Sequence, residues 1–181
     1  MANFMSLEMS EHRFPIRFDH YRIRNDSGGA GWHRGGCGTE YGFTTLADTI
    51  VSVLGDRVDY APFGVQGGGP ALASTVEFMT HGTHWVPEMR SKQEKQAMVA
   101  GDSIRLASPG GGGFGNPLER DLAMVERDLN RSYISRETAE QTYGVVVTEV
   151  RHDAAGHLHY RFDERASAER RTQESVRVAA A

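Results

Sequence analysis

The stretch "SPGGGGFGNPLERD" (Ser108–Asp121) places five glycines within six residues, directly before an Asn-Pro step and a charged run. Three of them have the G-x-G-x-x-G spacing of a dinucleotide-binding loop: Gly110, Gly112 and Gly115. In such a loop the helix opens inside the glycine motif, so that its N–H groups meet the pyrophosphate. Here Asn116 is a good N-cap and Pro117 suits the first helical position, so the helix starts after the last glycine. We therefore predict a tight backbone crossing that leads into a capped helix.

The residues on either side of the glycines agree with this interpretation. The preceding segment "SIRLAS" alternates between apolar and polar residues, whereas a central parallel strand is usually apolar on both faces. The Walker A pattern fails, because Gly115 is followed by Asn-Pro instead of Lys-Ser or Lys-Thr.

The rest of the chain predicts a mainly β fold of the α+β class, with glycine-rich loops and a few short helices. Glycine accounts for 21 of the 181 residues, in clusters that separate short apolar segments. Residues Ile16 to Arg24, "IRFDHYRIR", alternate strictly, as a strand with one wet face does. Further strands are predicted in "TEYGF", "TIVSVLGD", "STVEFM" and "GVVVTEV".

Helical periodicity appears only in the second half. Four leucines and valines recur on one face and predict one helix over residues 117–130: Leu118, Leu122, Val125 and Leu129. A second helix is predicted from Ser135 to Thr142, before a C-terminal glycine, Gly144. The segment "HDAAGHLHYRF" predicts a hairpin that turns at Asp153 to Gly156. This domain spans residues 1–163, and residues 164–181 form a polar tail, either a frayed helix or disordered.

Composition excludes several classes of protein. Lys and Arg number 20 and Asp and Glu 24, a net charge of −4, which favours neither nucleic acid nor an anionic membrane as a partner. Cys37 is the only cysteine, so neither a disulfide framework nor a thiolate zinc site is expected. The N-terminus does not resemble a signal peptide, and no apolar run is long enough to span a bilayer. We expect a cytoplasmic protein.

Candidate site residues do not combine into a complete active site. His81 and His84 have no third metal ligand nearby in the sequence, and His152, His157 and His159 fall on a predicted exposed ribbon. Asp26, Ser27 and His33 supply the atom types of a hydrolytic triad, but close sequence neighbours rarely assemble one. Arg34 either meets an anion, stacks on Trp32 or pins the loop. No catalytic residue and no metal ligand is assigned to this chain.

Four segments, taken together and in this order, resemble the C-terminal portion of the hydantoinase B/oxoprolinase family. They are "DSGGAGWHRGGCG" (Asp26–Gly38), "PFGVQGGGP" (Pro62–Pro70), "AGDSIRLASPGGGGFGNPLERD" (Ala100–Asp121) and "YGVVV" (Tyr143–Val147). The resemblance runs from about Glu8 to Val147 and fades beyond it. The glycine-rich stretch that follows Ser108 is then a structural signature of the family.

The resemblance implies a small subunit, split from a longer hydantoinase B-type subunit, in a multi-subunit enzyme. Relatives open lactam or hydantoin rings or carboxylate ketones, and they use ATP through a hydantoinase A-type partner. The metal-binding and principal catalytic residues of the B-type subunit lie upstream of the matching portion. We therefore expect ATP and a divalent metal in the partner subunits, no cofactor on this chain, and a lactam or ketone substrate.

On this interpretation the chain completes a fold and an inter-subunit surface, and it is inactive alone. The candidate interface or cavity-lining residues are Asp26, Ser27, Arg34, Gly110, Gly111, Gly112, Gly113 and Phe114. The alternatives are a free-standing binding or regulatory module of the same fold, and a small hydrolase that acts alone.

Overall fold

The computed structural model describes residues 5–153 and 158–179, and its contacts divide the chain into two compact units. The first unit comprises Met1–Arg24, Gly38–Ala61 and Ala73–Pro109, and the second Asn25–Cys37, Pro62–Leu72 and Gly110–Ala181. The sequence predicts one domain over residues 1–163, and this stays a prediction. The sequence does not reveal the division, because two of the three segments that make up the second unit lie between strands of the first.

The first unit is built from antiparallel strands. Its main sheet contains five strands in the order β1 (Ile16–Ile23), β2 (Thr39–Thr45), β7 (Ser103–Ala107), β4 (Thr75–Thr80) and β5 (Thr83–Trp85). A second, two-stranded antiparallel sheet pairs β3 (Thr49–Leu54) with β6 (Lys92–Met98). A short helix, α1 (Leu7–Arg13), precedes β1.

Alternating side chains of these strands form the core of the first unit. Val76, Phe78, Met98 and Ile104 are buried, and Val51 and Val53 of β3 pack against them. Trp85 stacks on Phe78 with ring centroids 4.6 Å apart. Period-two alternation directs one apolar face of β3, β4 and β7 into this core.

The second unit combines glycine-rich segments with helices and a small sheet. After the glycines come a 3₁₀ turn (Pro117–Glu119), α2 (Leu122–Asn130), α3 (Arg136–Gln141), the antiparallel pair β8 (Val147–His152) and β9 (Leu158–Phe162), and α4 (Glu164–Ala179). Its buried core is formed by Val125, Leu129, Ile134, Ala139, Tyr143 and Val145.

The predicted β-rich α+β fold is confirmed, and the helix predicted over residues 117–130 is present as a 3₁₀ turn followed by α2. Asn116 caps only the 3₁₀ turn, and Arg120 then has extended backbone angles, with φ −63° and ψ 136°. Asp121 caps α2 by accepting hydrogen bonds from the N–H groups of Ala123 and Met124. Two capping residues five positions apart each satisfy their own set of N–H groups, so the helix begins twice.

The second predicted helix is confirmed as α3. The Ser135 hydroxyl accepts a hydrogen bond from the Thr138 N–H group at its start. Gly144 has φ 62°, the left-handed conformation expected of a glycine that ends a helix.

Residues 164–179 form the helix α4, where the sequence predicts a frayed helix or disorder. The Ser167 hydroxyl is buried and accepts a hydrogen bond from the Val146 N–H group, 2.9 Å away.

The prediction lacks three of the observed elements, α1, β5 and β6. The residues of β6, "KQEKQAM", have no apolar period. The turn predicted at residues 153–156 falls largely outside the described residues, but β8 and β9 pair on either side of it. Within residues 5–153 and 158–179, no helix has the length and apolarity needed to cross a bilayer.

Candidate functional site: a glycine-rich core and its aromatic rim

Three glycine-rich segments of the second unit lie side by side, and each is hydrogen-bonded to the other two. The Gly29 N–H group donates to the Gly111 carbonyl (2.8 Å), and Gly69 donates to Ala30 (2.7 Å). The Gly113 N–H group donates to the Gly69 carbonyl, 3.0 Å away. The segments 28–36, 64–69 and 110–115 therefore form one backbone-bonded glycine-rich core.

The close approach of the segments explains why glycine occupies these positions. A Cβ atom on Gly112 would lie 1.8 Å from the Phe63 carbonyl oxygen, and one on Gly35 would lie 1.8 Å from that of Gly111. Both distances are far inside van der Waals contact, and the obstructing atoms belong to the backbone. Gly36 differs, because nothing lies within 4 Å of its Cβ position.

The same hydrogen bonds explain how this segment differs from a phosphate-binding loop. The N–H groups of Gly111, Gly113 and Gly115 donate to backbone carbonyls of residues 36, 69 and 65. In a dinucleotide-binding loop these groups point at the ligand. The structure thus agrees with the predicted backbone crossing.

A buried ionic network fixes this core to α2. The Asp128 carboxylate is fully buried and lies 3.0 Å from the Arg34 Nε atom and 2.8 Å from Arg120 Nη2. Each arginine also donates to the glycine-rich segment, Arg34 to the Gly35 carbonyl and Arg120 to the Trp32 carbonyl. Of the three roles open to Arg34 in the sequence, the structure provides the one in which it pins the loop.

The charges of the two arginines keep Asp128 ionised. Burial by itself would raise the pKa of this carboxyl group, but hydrogen bonds and charge from Arg34 and Arg120 outweigh burial and hold the pKa below its usual range. Burial alone would lower the pKa of Arg34, but its hydrogen bond and charge interaction with Asp128 raise it. Asp128 and Arg34 are therefore both charged at neutral pH.

The other predicted site residues are also held in backbone contacts. The Asp26 carboxylate accepts a hydrogen bond from the Ser135 N–H group (2.8 Å), at the start of α3. Ser27 is fully buried, and its carbonyl accepts from the Leu72 N–H group (2.9 Å). Gly110 approaches the same Ser27 carbonyl, which leaves no room for a side chain. That these residues line an interface or a cavity stays a prediction.

An exposed aromatic rim, formed by Trp32, His33 and Phe114, lies on the glycine-rich core. The rings of Trp32 and His33 are 4.7 Å apart, and those of His33 and Phe114 are 6.2 Å apart. Reciprocal hydrogen bonds between the backbones of His33 and Phe114, each 2.9 Å, fix the two segments. Phe63, which precedes the strand-like bridge of Val65 to Phe114, is also exposed. Such a surface suits contact with an apolar or planar partner.

The sequence predicts Phe114 as an interface or cavity-lining residue, whereas it names His33 only for a hydrolytic triad and Trp32 only as a stacking partner of Arg34. The signal was an aromatic residue beside glycines in three separate segments, "GWHRGG", "PFGV" and "GFGN". These segments are far apart in the chain, so the sequence does not reveal that they converge.

The candidate histidines take part in local contacts. The His81 N–H group donates to Asp102, and the His84 ring lies 3.3 Å from Glu77. His159 lies 3.3 Å from Asp153, while His157 is outside the described residues. In the described part of the chain, no group of three or more His, Cys, Asp or Glu side chains is placed to hold a metal ion.

Comparison with known proteins identifies a single family. The model of the hydantoinase B/oxoprolinase family matches residues 1–117. The B-type subunit of a putative D-/L-hydantoinase from Pseudomonas sp. (strain NS671) is 33% identical over 143 residues, which are 79% of this chain and 24% of that protein. The beta subunit of the Pseudomonas jessenii caprolactamase is 31% identical over 144 residues, 78% of this chain and 25% of the relative.

Solved structures give the same result. The nucleotide-free structure of acetone carboxylase superimposes with a TM-score of 0.72 and 26% identity, over 99% of this chain and 27% of that one. The ATP-dependent caprolactamase of Pseudomonas jessenii gives a TM-score of 0.69 over 92% of this chain and 28% of the other. The chain thus spans about a quarter of the length of the relatives that it matches.

Proposed function

Because the chain belongs to the hydantoinase B/oxoprolinase family, we propose that it forms one part of a hydantoinase B-type subunit in a multi-subunit, ATP-dependent enzyme. That enzyme is an amidohydrolase acting on a lactam or hydantoin, or a ketone carboxylase. The chain completes the fold of the subunit and supplies part of its internal surface, and it does not carry the reaction alone.

One observation carries this proposal. The match to acetone carboxylase extends over 99% of this chain but only 27% of the other. In that relative the whole fold described above is one part of a much longer polypeptide. A larger hydantoinase B-type partner and a hydantoinase A-type subunit supply the rest of the assembly, including the sites for ATP and a divalent metal.

The charged side chains that fix the glycine-rich core to α2 support a role in architecture. Asp128, Arg34 and Arg120 are engaged with one another and with backbone carbonyls of the glycine-rich segment. Such pairs resist movement, since removing one partner leaves an uncompensated buried charge. They hold the aromatic rim in place, and the rim faces either the larger partner or a substrate channel.

A turnover assay tests the proposal. ATP hydrolysis is measured with caprolactam or hydantoin, and separately with acetone plus bicarbonate, for the purified chain and for the assembly isolated from the native source. We expect substrate-dependent ATP turnover by the assembly alone. Turnover by the purified chain at a comparable rate would contradict the proposal and would favour a small hydrolase acting alone.

A further inference from the structure

We propose that the outer side of β3 and the loops beside it form a docking surface for the larger part of the hydantoinase B-type subunit. This β3 surface consists of Ile50, Leu54, Tyr60 and Met89, all in the first unit. The proposal rests on the function proposed above and names the surface through which that association is made.

The four side chains are unusually exposed for their type. The exposed fractions are 68% for Ile50, 86% for Leu54, 82% for Tyr60 and 69% for Met89. Single exposed apolar residues are common, but a contiguous group of large ones marks an interaction site.

β3 carries large apolar residues on both faces, with Ser52 between Ile50 and Leu54 on the outer one. Val51 and Val53 pack into the core of the first unit, while Ile50 and Leu54 point away from it. A strand with one wet face usually has polar residues on that face, and Ile50 and Leu54 depart from this pattern. On β6, Ala97 lies opposite Ile50 and Lys92 lies opposite Leu54, so the apolar face borders a charged side chain. In the isolated unit this outer face has no cover.

Three of the four side chains, Leu54, Met89 and Tyr60, belong to one continuous patch, and Ile50 lies further along the same face of β3. Leu54 and Met89 line one cleft, together with residues of β6. Met89 also lines the neighbouring cleft with Tyr60. Met89 therefore connects the strand face to the loop that carries Tyr60.

The backbone under the patch is held rigidly. The Gly55 N–H group donates to the Ser91 carbonyl and the Ser91 hydroxyl donates to the Gly55 carbonyl, each at 2.9 Å. Arg57 and Arg90, in the two facing loops, have φ angles of 65° and 58°, which side-chain-bearing residues seldom adopt. Such conformations persist where surrounding contacts enforce them, and a preformed surface loses less entropy on binding.

The charges around the patch favour a protein as the occupant. Arg90 pairs with Asp59 (3.4 Å) and Lys92 with Asp56 (3.9 Å). The border therefore contains acids and bases in balance, without the basic excess that attracts anionic lipids or nucleic acid. An apolar centre within a polar border is the usual anatomy of a protein–protein interface.

The relatives with longer chains indicate which protein covers the β3 surface. Acetone carboxylase contains this fold as 27% of one chain, so nearly three quarters of that polypeptide lies outside the match. A contact within one subunit is permanent, and permanent interfaces are large and apolar. We therefore assign the β3 surface to the larger hydantoinase B-type region, in preference to a second copy of this chain.

Charged substitutions test the assignment. The double variant Leu54→Glu/Met89→Glu is compared with Val176→Glu, whose parent residue is 65% exposed on α4 in the second unit. Each tagged chain is expressed at native levels in its source, and the retained hydantoinase B-type polypeptide is quantified by peptide mass spectrometry. We expect the double variant to retain at least tenfold less of it than wild type, and Val176→Glu to retain the wild-type amount.

A photo-crosslinking amino acid at position 54 identifies what touches the surface without relying on a loss of binding. Crosslinks to the hydantoinase B-type polypeptide are expected. Two results would overturn the docking surface while the proposed function stands. In the first, wild type and the double variant retain equal amounts of this polypeptide. In the second, position 54 crosslinks only to a second copy of this chain or to the A-type subunit. If wild type retains no hydantoinase B-type polypeptide, the proposed function fails, and the docking surface fails with it.

Discussion

At the scale of single residues, the glycine-rich core depends on positions where a side chain has no space. The Cβ position of Gly112 is 1.8 Å from the Phe63 carbonyl oxygen, whereas that of Gly36 is open. We expect Gly112→Ala to lower the free energy of unfolding by more than about 3 kcal/mol, because backbone must move to admit the methyl group. Gly36→Ala, the matched control, changes it by less than about 1 kcal/mol.

Denaturant unfolding followed by circular dichroism measures both variants. Equal stability of Gly112→Ala and wild type would show that the segments are not packed as described. A Gly112→Ala protein that folds and assembles normally but loses catalysis would assign the segment a direct functional role.

A carboxylate in the main sheet makes stability depend on pH. The Glu40 Oε1 atom lies 2.8 Å from Nη2 atoms of both Arg22 and Arg105. Burial alone would raise the pKa of Glu40, but the hydrogen bonds and charges of the two arginines outweigh it and lower the pKa from 4.5. The carboxylate therefore stabilises the fold fully above pH 4.5, and this contribution is lost as the pH falls through the lowered pKa.

Replacing this carboxylate with an amide tests the pH dependence. We expect Glu40→Gln to be less stable than wild type at pH 7, and the difference in unfolding free energy to shrink steadily below about pH 4.5. Urea titrations at a series of pH values measure it. A difference that stays constant from about pH 7 to about pH 3 would contradict the stabilising role of the ionised group.

At the scale of helices and strands, local patterns in the sequence predict most of the fold. The strict alternation of "IRFDHYRIR" predicts β1, and the capping residue Ser135 predicts the start of α3. β6 was missed because its seven residues, "KQEKQAM", are mostly polar and owe their pairing to the apolar strand β3. The sequence does not reveal the break at Arg120, because the apolar period continues across it from Leu118 to Leu122. The buried contact between Arg120 and Asp128 joins two side chains, and no sequence pattern indicates it.

The candidate site was less predictable than the fold, for a physical reason. Arg34 and Asp128 are 94 positions apart, and no local pattern reveals that they form one ion pair. The aromatic rim likewise arises only when Trp32 and Phe114 are brought together by hydrogen bonds between glycine-rich segments. Local propensity determines where helices and strands form, while contacts between distant parts of the chain determine the candidate site.

One arginine side chain of helix α4 makes two of the hydrogen bonds between this helix and the rest of the second unit. Arg171 donates to the Tyr143 carbonyl (2.8 Å) and the Arg120 carbonyl (2.7 Å). We expect Arg171→Ala to cost about 2 kcal/mol of stability, since it leaves buried acceptors without their donors. Arg165→Ala is the control, because this side chain is 91% exposed and its pairing with Glu169 contributes about 0.5 kcal/mol or less.

Thermal melts of the two arginine variants distinguish a docked helix from a loose tail. Equal melting temperatures for Arg171→Ala and Arg165→Ala would mean that the hydrogen bonds of Arg171 do not stabilise the second unit. Hydrogen exchange of residues 164–179 provides an independent measure of the same contact.

At the scale of the whole molecule, the two compact units have different roles in this account. The first presents the β3 surface, and the second holds the aromatic rim on a glycine-rich core. Both surfaces are consistent with a chain that spans about a quarter of the length of its relatives. A free-standing binding or regulatory module would have no need of a large apolar partner.

Native mass spectrometry of the assembly, purified through a tag on this chain from its native source, tests the central claim most directly. We expect a stable complex that contains this chain, a larger hydantoinase B-type polypeptide and a hydantoinase A-type polypeptide in fixed stoichiometry. A monodisperse monomer of this chain, with neither polypeptide retained at native expression levels, would contradict the account and would favour the free-standing module.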